Sequence, residues 1–220
     1  MNIKDIVTER KSYPIKVVQF GEGNFLRAFV DYMIDVANEK GVFGGSIAIV
    51  KPIAFGSVAA FKEQDCLYTV ILRGKENGRI VNDSRIITSV SKTLGCADDY
   101  DEFMSLARID TLRFVVSNTT EAGIVLDKKD SFDRLPGTYP GKLTKFLYER
   151  YKAFGGDKDK GLVILPAELI ENNGGKLRKC VLELSDIWNL PEAFKAWIRV
   201  IDAFKEPFLV GIEQHFLLCR

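Results

Sequence analysis

Histidine is almost missing from this chain: His215 is the single one in 220 residues. A Ser–His or Cys–His mechanism would rest on one residue near the chain end, so a structural role is expected for it. The four cysteines, Cys66, Cys96, Cys180 and Cys219, stand far apart with no Cys-x-x-Cys pair. That spacing suggests neither a zinc ribbon nor a disulfide framework, and reduced thiols in a cytoplasm are the simpler reading. Carboxylates occur without His or Cys at ligand spacing, so no metal is expected. An excess of one charge is lacking too: 31 Lys and Arg stand against 30 Asp and Glu, which removes the field that a nucleic acid or a membrane surface would require. No run reaches 18 apolar residues, and the first fourteen residues carry charges where a signal peptide has its apolar core. A cytoplasmic, unanchored protein is expected. Internal repeats and low-complexity tracts are absent, and nothing marks an oligomeric state.

What is present is enough for a sizeable core. Hydrophobic residues make up 46% of the chain, and a domain of this size buries roughly 70% of its unfolded surface. The stretch IKVVQFGEGNFLRA, 15–28, is the organising one. An apolar run passes through Gly21-Glu22-Gly23 into a segment where Phe25, Leu26, Phe29, Val30, Met33, Ile34 and Ala37 recur at helical spacing, with Gly41 as a stop. Strand, glycine turn and helix in that order suit a dinucleotide: glycines let backbone approach a pyrophosphate, and the helix start offers free N–H groups. The turn alone is weak evidence, because Leu26 stands where the third glycine of GxGxxG belongs. Asn24 and Arg27 add a hydrogen-bonding group and a phosphate partner; their plain structural alternatives are a helix N-cap and a solvated helix cation.

Further on, SIAIV (46–50) reads as the second strand, ended by Lys51-Pro52. Segments 68–73 and 79–91 are β-rich and flank an Asn77-Gly78 turn, which predicts a β-hairpin that extends or flanks the main sheet. A short helix over 98–107 leads to a strand at 112–118 and the small polar loop 117–123. A helix over 141–154 precedes the strand GLVILP (161–166), the polar segment 167–174, and two helices, the second opened by Pro191. The alternation predicts an α/β fold: a Rossmann-type, doubly wound, mostly parallel sheet with a β-hairpin insertion.

Loops at strand carboxyl ends surround the ligand in such sheets, which makes 117–123 a second site candidate. The acidic residue that would bond the adenosine ribose is missing after the second strand, where Lys51 stands. Either the ribose is held otherwise or Lys51 attracts a 2′-phosphate and favours NADP. Glu168, Glu171, Asn172 and Asn173 line a substrate pocket or simply form a turn.

The residues QFGEGNFLRA (19–28), NTTEAG (118–123) and PAELIENNG (166–174) together resemble the long-chain mannitol dehydrogenase family, in the family's order. The first is most similar to its tagaturonate-reducing branch. The resemblance implies a Rossmann-type domain over 15–203, after a lead-in over 1–14, and reversible hydride transfer between NAD(H) and a sugar-derived ketone or alcohol. For that branch the pair is tagaturonate and altronate; mannitol or fructuronate is the alternative, and a non-catalytic nucleotide-binding module is the reading from another class. By position, Phe20, Gly21, Glu22, Gly23, Asn24, Phe25 and Arg27 would hold the pyrophosphate. Lys51 and Asn118 would flank the cofactor, and Thr119, Thr120 and Glu121 would lie toward the nicotinamide. Glu168 and Asn173 are the substrate candidates. Polyol-oxidising relatives carry an Asp-Asn pair where this chain has Glu168 and Leu169, so that Asn role does not carry over. The family's catalytic Lys-x4-Asn-x2-His motif does not occur here, and the tail 204–220 no longer resembles the family. The expectation is therefore a cofactor domain, truncated or frame-shifted, with its helical catalytic domain largely absent and with little turnover.

Overall fold

The computed structural model describes residues 3–7, 9–120 and 122–200. The expectations placed on Glu121, His215, Cys219 and the tail lie outside the described residues. Five parallel strands form the main sheet in the order β5-β2-β1-β6-β7. The central β1 (Ile15–Phe20) pairs with β2 (Ser46–Lys51) on one side and with β6 (Phe114–Ser117) on the other. Beyond them lie β5 (Val90–Gly95) and β7 (Val163–Pro166). The chain builds outward on one side of β1 and then crosses to the other, which sets a topological switch point between β1 and β6. Every residue of β2 is buried, as expected for an apolar strand covered on both faces.

Alternation along β1 divides the core. Val18 and Phe20 face a cluster with Phe103, Leu143, Phe146, Leu177 and Phe194. These come from α4 (Tyr100–Ser105), α5 (Tyr139–Ala153), α6 (Asn173–Ile187) and α7 (Glu192–Val200). Val17 faces the opposite cluster with Leu26, Ile47, Ile49, Val70 and Ile87. Gln19 shares that second face by strand alternation and is fully buried.

Three boundaries differ from the sequence reading. The β-rich run 79–91 is two strands: β4 (Arg79–Ile87) pairs antiparallel with β3 (Tyr68–Glu76), and Val90 then opens β5 in the main sheet. The hairpin therefore flanks the sheet as a separate ribbon. Asn172 is a helix cap, with its side chain accepting from Gly175 N at 3.1 Å, so the Asn-Asn-Gly-Gly segment starts α6.

The third difference concerns the first helix. It runs as α1 (Asn24–Leu26), a π turn over Arg27–Asp31 and α2 (Tyr32–Glu39). The short α3 (Ala59–Glu63) follows β2. A π turn inserts one residue into the helical register and rotates everything after it. The buried positions become Leu26, Asp31, Asp35 and Asn38, while Phe25 and Met33 are 37% and 47% exposed. The apolar face expected over 25–37 thus only partly faces inward.

Candidate functional site

The carboxyl end of β1 is held between its neighbours. Gly21 N donates to Val50 O at 3.0 Å, and Asn118 N donates to Phe20 O at 3.2 Å. Gly21 adopts φ +118, and a Cβ there would stand 3.2 Å from Asn118 O, so conformation and space both require glycine. Gly23 has ordinary φ −67, and no atom lies within 4 Å of where its Cβ would be. The first glycine is explained by the fold; the second leaves an open cradle over the helix start.

The residues around the cradle sort by what they can offer. Phe20 is fully buried with its ring against Tyr139 and Phe103, 5.0 and 5.7 Å between centroids, which leaves only its backbone for a ligand. Phe25 stacks on Phe29 at 5.4 Å, and Glu22 is half-buried. Asn24 is the first helical residue rather than the N-cap, which is Gly23; its Oδ1 accepts from the Arg27 guanidinium. Nor is Arg27 a freely solvated cation. Its guanidinium lies over the rings of Phe61 and Tyr68, at 5.4 and 5.5 Å from their centroids.

Glu168 builds the second wall. It is 1% exposed and accepts from Thr119 N (3.0 Å), Thr119 Oγ1 (2.9 Å) and Ser117 Oγ (3.2 Å). Asn118 Nδ2 donates to Ala167 O at 2.6 Å. Thr120 holds φ +84, an outlier for a β-branched residue of the kind that clusters in ligand loops. Asn173 is buried and donates to Pro166 O and Glu168 O at 2.6 and 3.0 Å. Both substrate candidates thus turn inward: Glu168 ties the end of β6 to the segment after β7, and Asn173 ties that segment to the start of α6, whereas Glu171 stays exposed.

A cleft of about 300 Å³ opens at this sheet edge. Pro52 and Ile53 after β2, Thr119 and Thr120 after β6, and Thr138, Tyr139 and Lys142 at the start of α5 line it. The Lys51 ammonium is buried and donates to Ile53 O at 2.5 Å. Lys142 is buried as well, donating to Gly137 O at 2.7 Å, and burial draws its pKa down. Burial pushes the neighbouring Cys96 thiol up to about 12, far from a reactive thiolate. Among the described residues no group of His, Cys, Asp and Glu is placed to hold a metal ion, and no helix is long and apolar enough to cross a membrane.

Beneath the glycine turn lies a network that periodicity did not reveal. Asp31 is fully buried and accepts from Tyr68 Oη at 2.6 Å, while Gln19 Nε2 reaches both Gly21 O at 3.1 Å and Asp31 Oδ2 at 3.5 Å. Burial pushes the Asp31 carboxyl up from 3.8 to about 7, against the opposing hydrogen bonds of Tyr68 and Gln19 and the charge of Arg27. The signal in sequence was a charged residue within an otherwise apolar helical stretch, which reads as solvent-facing until the π turn is known.

Comparison with known proteins agrees with this architecture. A model of the mannitol dehydrogenase Rossmann domain matches residues 15–206. The altronate oxidoreductase of Bacillus subtilis (strain 168) is 48% identical over 202 residues, 91% of this chain and 42% of that protein. The altronate oxidoreductase of Phocaeicola vulgatus is 51% identical over 187 residues, covering 84% and 39%. This chain thus spans about two fifths of the length of these relatives. Among solved structures, the Pseudomonas fluorescens mannitol 2-dehydrogenase ternary complex with NAD and D-mannitol superposes with a TM-score of 0.72 at 21% identity, over 88% of this chain and 41% of that one. A substrate-free D-sorbitol dehydrogenase superposes with 0.68 at 22%, over 87% and 41%. The chain belongs to the mannitol dehydrogenase family, an oxidoreductase family, and matches its Rossmann domain.

Proposed function

We propose that the chain binds NAD(H) along the carboxyl edge of its sheet, in the service of hydride transfer between that cofactor and the tagaturonate–altronate pair. The single observation that carries the cofactor reading is the open face of Gly23, next to a Gly21 that the fold itself pins against Asn118. Gly41, Gly74, Gly78 and Gly155 are open in the same way; what sets Gly23 apart is its place between β1 and the first helix, beside the switch point of the sheet. The substrate pair rests on the names of the relatives near 50% identity.

In this reading the backbone from Phe20 to Gly23 and the first N–H groups of the helix, at Asn24 and Phe25, receive the pyrophosphate, with Arg27 as its cationic partner. Thr119 and Thr120 share their cleft with Pro52 and Ile53, which favours the adenosine end for them over the nicotinamide side implied by the resemblance. Lys51 favours NAD over NADP, because its ammonium is turned down onto the Ile53 carbonyl instead of standing free for a 2′-phosphate. Glu168 holds the Thr119 loop in place and Asn173 holds the backbone of Glu168, and neither is assigned to the substrate. The bound nicotinamide supplies or accepts the hydride; the residues named here bind and orient it.

Thermal melting with NADH, NADPH and AMP tests this. Ligand at 100 times its dissociation constant stabilises the fold by about 2.7 kcal/mol, and NADH is expected to give a larger shift than NADPH at equal concentration. No shift with any of the three would sink the dinucleotide reading.

A further inference from the structure

The hairpin makes one polar contact that reaches the nucleotide turn. Tyr68, at the base of β3, donates its hydroxyl to Asp31 Oδ2 at 2.6 Å. Its ring and that of Phe61 meet edge-on, 6.0 Å apart at 87°, and both lie against the Arg27 guanidinium. Asp31 follows Arg27 by four residues, and the Arg27 charge opposes the rise that burial imposes on the Asp31 carboxyl. Yet Arg27 forms no ion pair within 4 Å among the described residues, and its Nε is buried without a partner, as are Asp31 Oδ1 and Gln19 Oε1. In an α-helix an arginine and an aspartate four apart would face one another; here the π turn lies between them. Here the Tyr68 hydroxyl occupies one carboxylate oxygen while its ring supports the guanidinium from the side, so the cation is held but not neutralised.

We propose that Tyr68 is a positioning residue for the cofactor: its ring, locked by the hydroxyl on Asp31, holds the Arg27 guanidinium available to the pyrophosphate and away from Asp31. This rests on the dinucleotide reading above and adds the hairpin to the site. The hairpin, a departure from a minimal Rossmann pattern, then acts as the brace of the phosphate-binding arginine.

The test compares ADP with adenosine by isothermal titration calorimetry on the wild-type chain, Tyr68→Leu and Tyr68→Phe, with a melting curve for each. A loss confined to the phosphates separates positioning of Arg27 from general loosening of the site. Tyr68→Leu is expected to weaken ADP about tenfold and adenosine less than about twofold, the scale of one charge-assisted hydrogen bond. Tyr68→Phe keeps the ring and should recover most of the ADP affinity, with about a two- to threefold deficit from the lost hydroxyl. Should Tyr68→Leu fail to fold, the Tyr68→Phe deficit decides alone, and it must again fall on ADP and spare adenosine. A wild-type chain that binds neither NADH nor ADP overturns the dinucleotide reading and this one with it. A wild-type chain that binds ADP, with variants that lose ADP and adenosine equally or lose neither, overturns only the role of Tyr68.

Discussion

Glu168 receives both the backbone N–H and the hydroxyl of Thr119, at 3.0 and 2.9 Å, across 49 residues of sequence. That pair fixes the loop after β6 to the end of β7 and so shapes one wall of the cleft. Glu168→Ala leaves the Thr119 N–H and the Ser117 hydroxyl without their acceptor, a loss of about 1–3 kcal/mol. Calorimetry should show a lower melting temperature together with weaker NADH binding. Unchanged NADH affinity in a destabilised protein would mean that the Thr119 loop takes no part in the cofactor site.

Asp31 gives the fold a pH dependence of unusual sign for a carboxylate. Below pH 3.8 the folded and unfolded chains both carry its proton; between 3.8 and about 7 only the folded chain does. Its stabilising contribution is therefore full at low pH and is lost as pH rises to about 7, on the order of 1 kcal/mol per pH unit. The groups facing it are Arg27 on its own helix, Tyr68 from β3 and the uncharged Gln19 from β1, with Asp35 acting on Tyr68. Asp31→Asn removes the titration and still offers Tyr68 an acceptor. Its melting temperature relative to wild type should climb between pH 4 and 7 and level off above; a constant difference across that range would show that Asp31 does not titrate there.

Arg150 is fully buried and donates to four carbonyls, Lys160 O, Ala107 O, Ile109 O and Leu112 O, at 2.6 to 3.1 Å. Burial draws its pKa down to about 10, still charged at neutral pH. It closes the edge of the sheet opposite the cleft, where α5 meets the entry to β6. Arg150→Met strands those carbonyls and should cost about 2–4 kcal/mol, without altering NADH affinity in the protein that remains folded. A variant that melts with the wild type would show that the carbonyls find other donors.

Much of this was legible in the residues. Val17, Val18 and Phe20 on β1, the apolar SIAIV run and the alternation of strand and helix specify a parallel sheet, because each pattern has one economical way to be buried. Gly21 was readable as a turn glycine, and Asn77-Gly78 as a hairpin turn. The π turn was not readable, since inserting one residue into a helix depends on what the helix packs against. Asp31 and Asp35 turn inward only because Tyr68, Arg85 and Thr88 from the hairpin region meet them, contacts that span 37 to 53 residues of sequence. The same applies to Glu168 and Asn173: their residue types suit a pocket, and only their distant partners show that they face inward. Tyr139 joins the cleft from just ahead of the helix expected over 141–154, because the start of α5 lies two residues earlier than helical spacing indicated.

The central claim is that the Gly21–Gly23 turn holds a dinucleotide, and the two glycines separate folding from binding. Gly21→Ala forces a side chain into φ +118 against Asn118 O, so it should lower the melting temperature, by about 1–3 kcal/mol of stability. Gly23→Ala meets no atom of the chain, so its melting temperature should match the wild type. The most direct measurement is an NADH titration of Gly23→Ala beside wild type, following protein-to-NADH energy transfer. Saturable binding is expected for wild type, with at least about tenfold weaker binding by an equally stable Gly23→Ala, the scale of one lost charge-assisted hydrogen bond. Equal NADH affinity in the two proteins would contradict it.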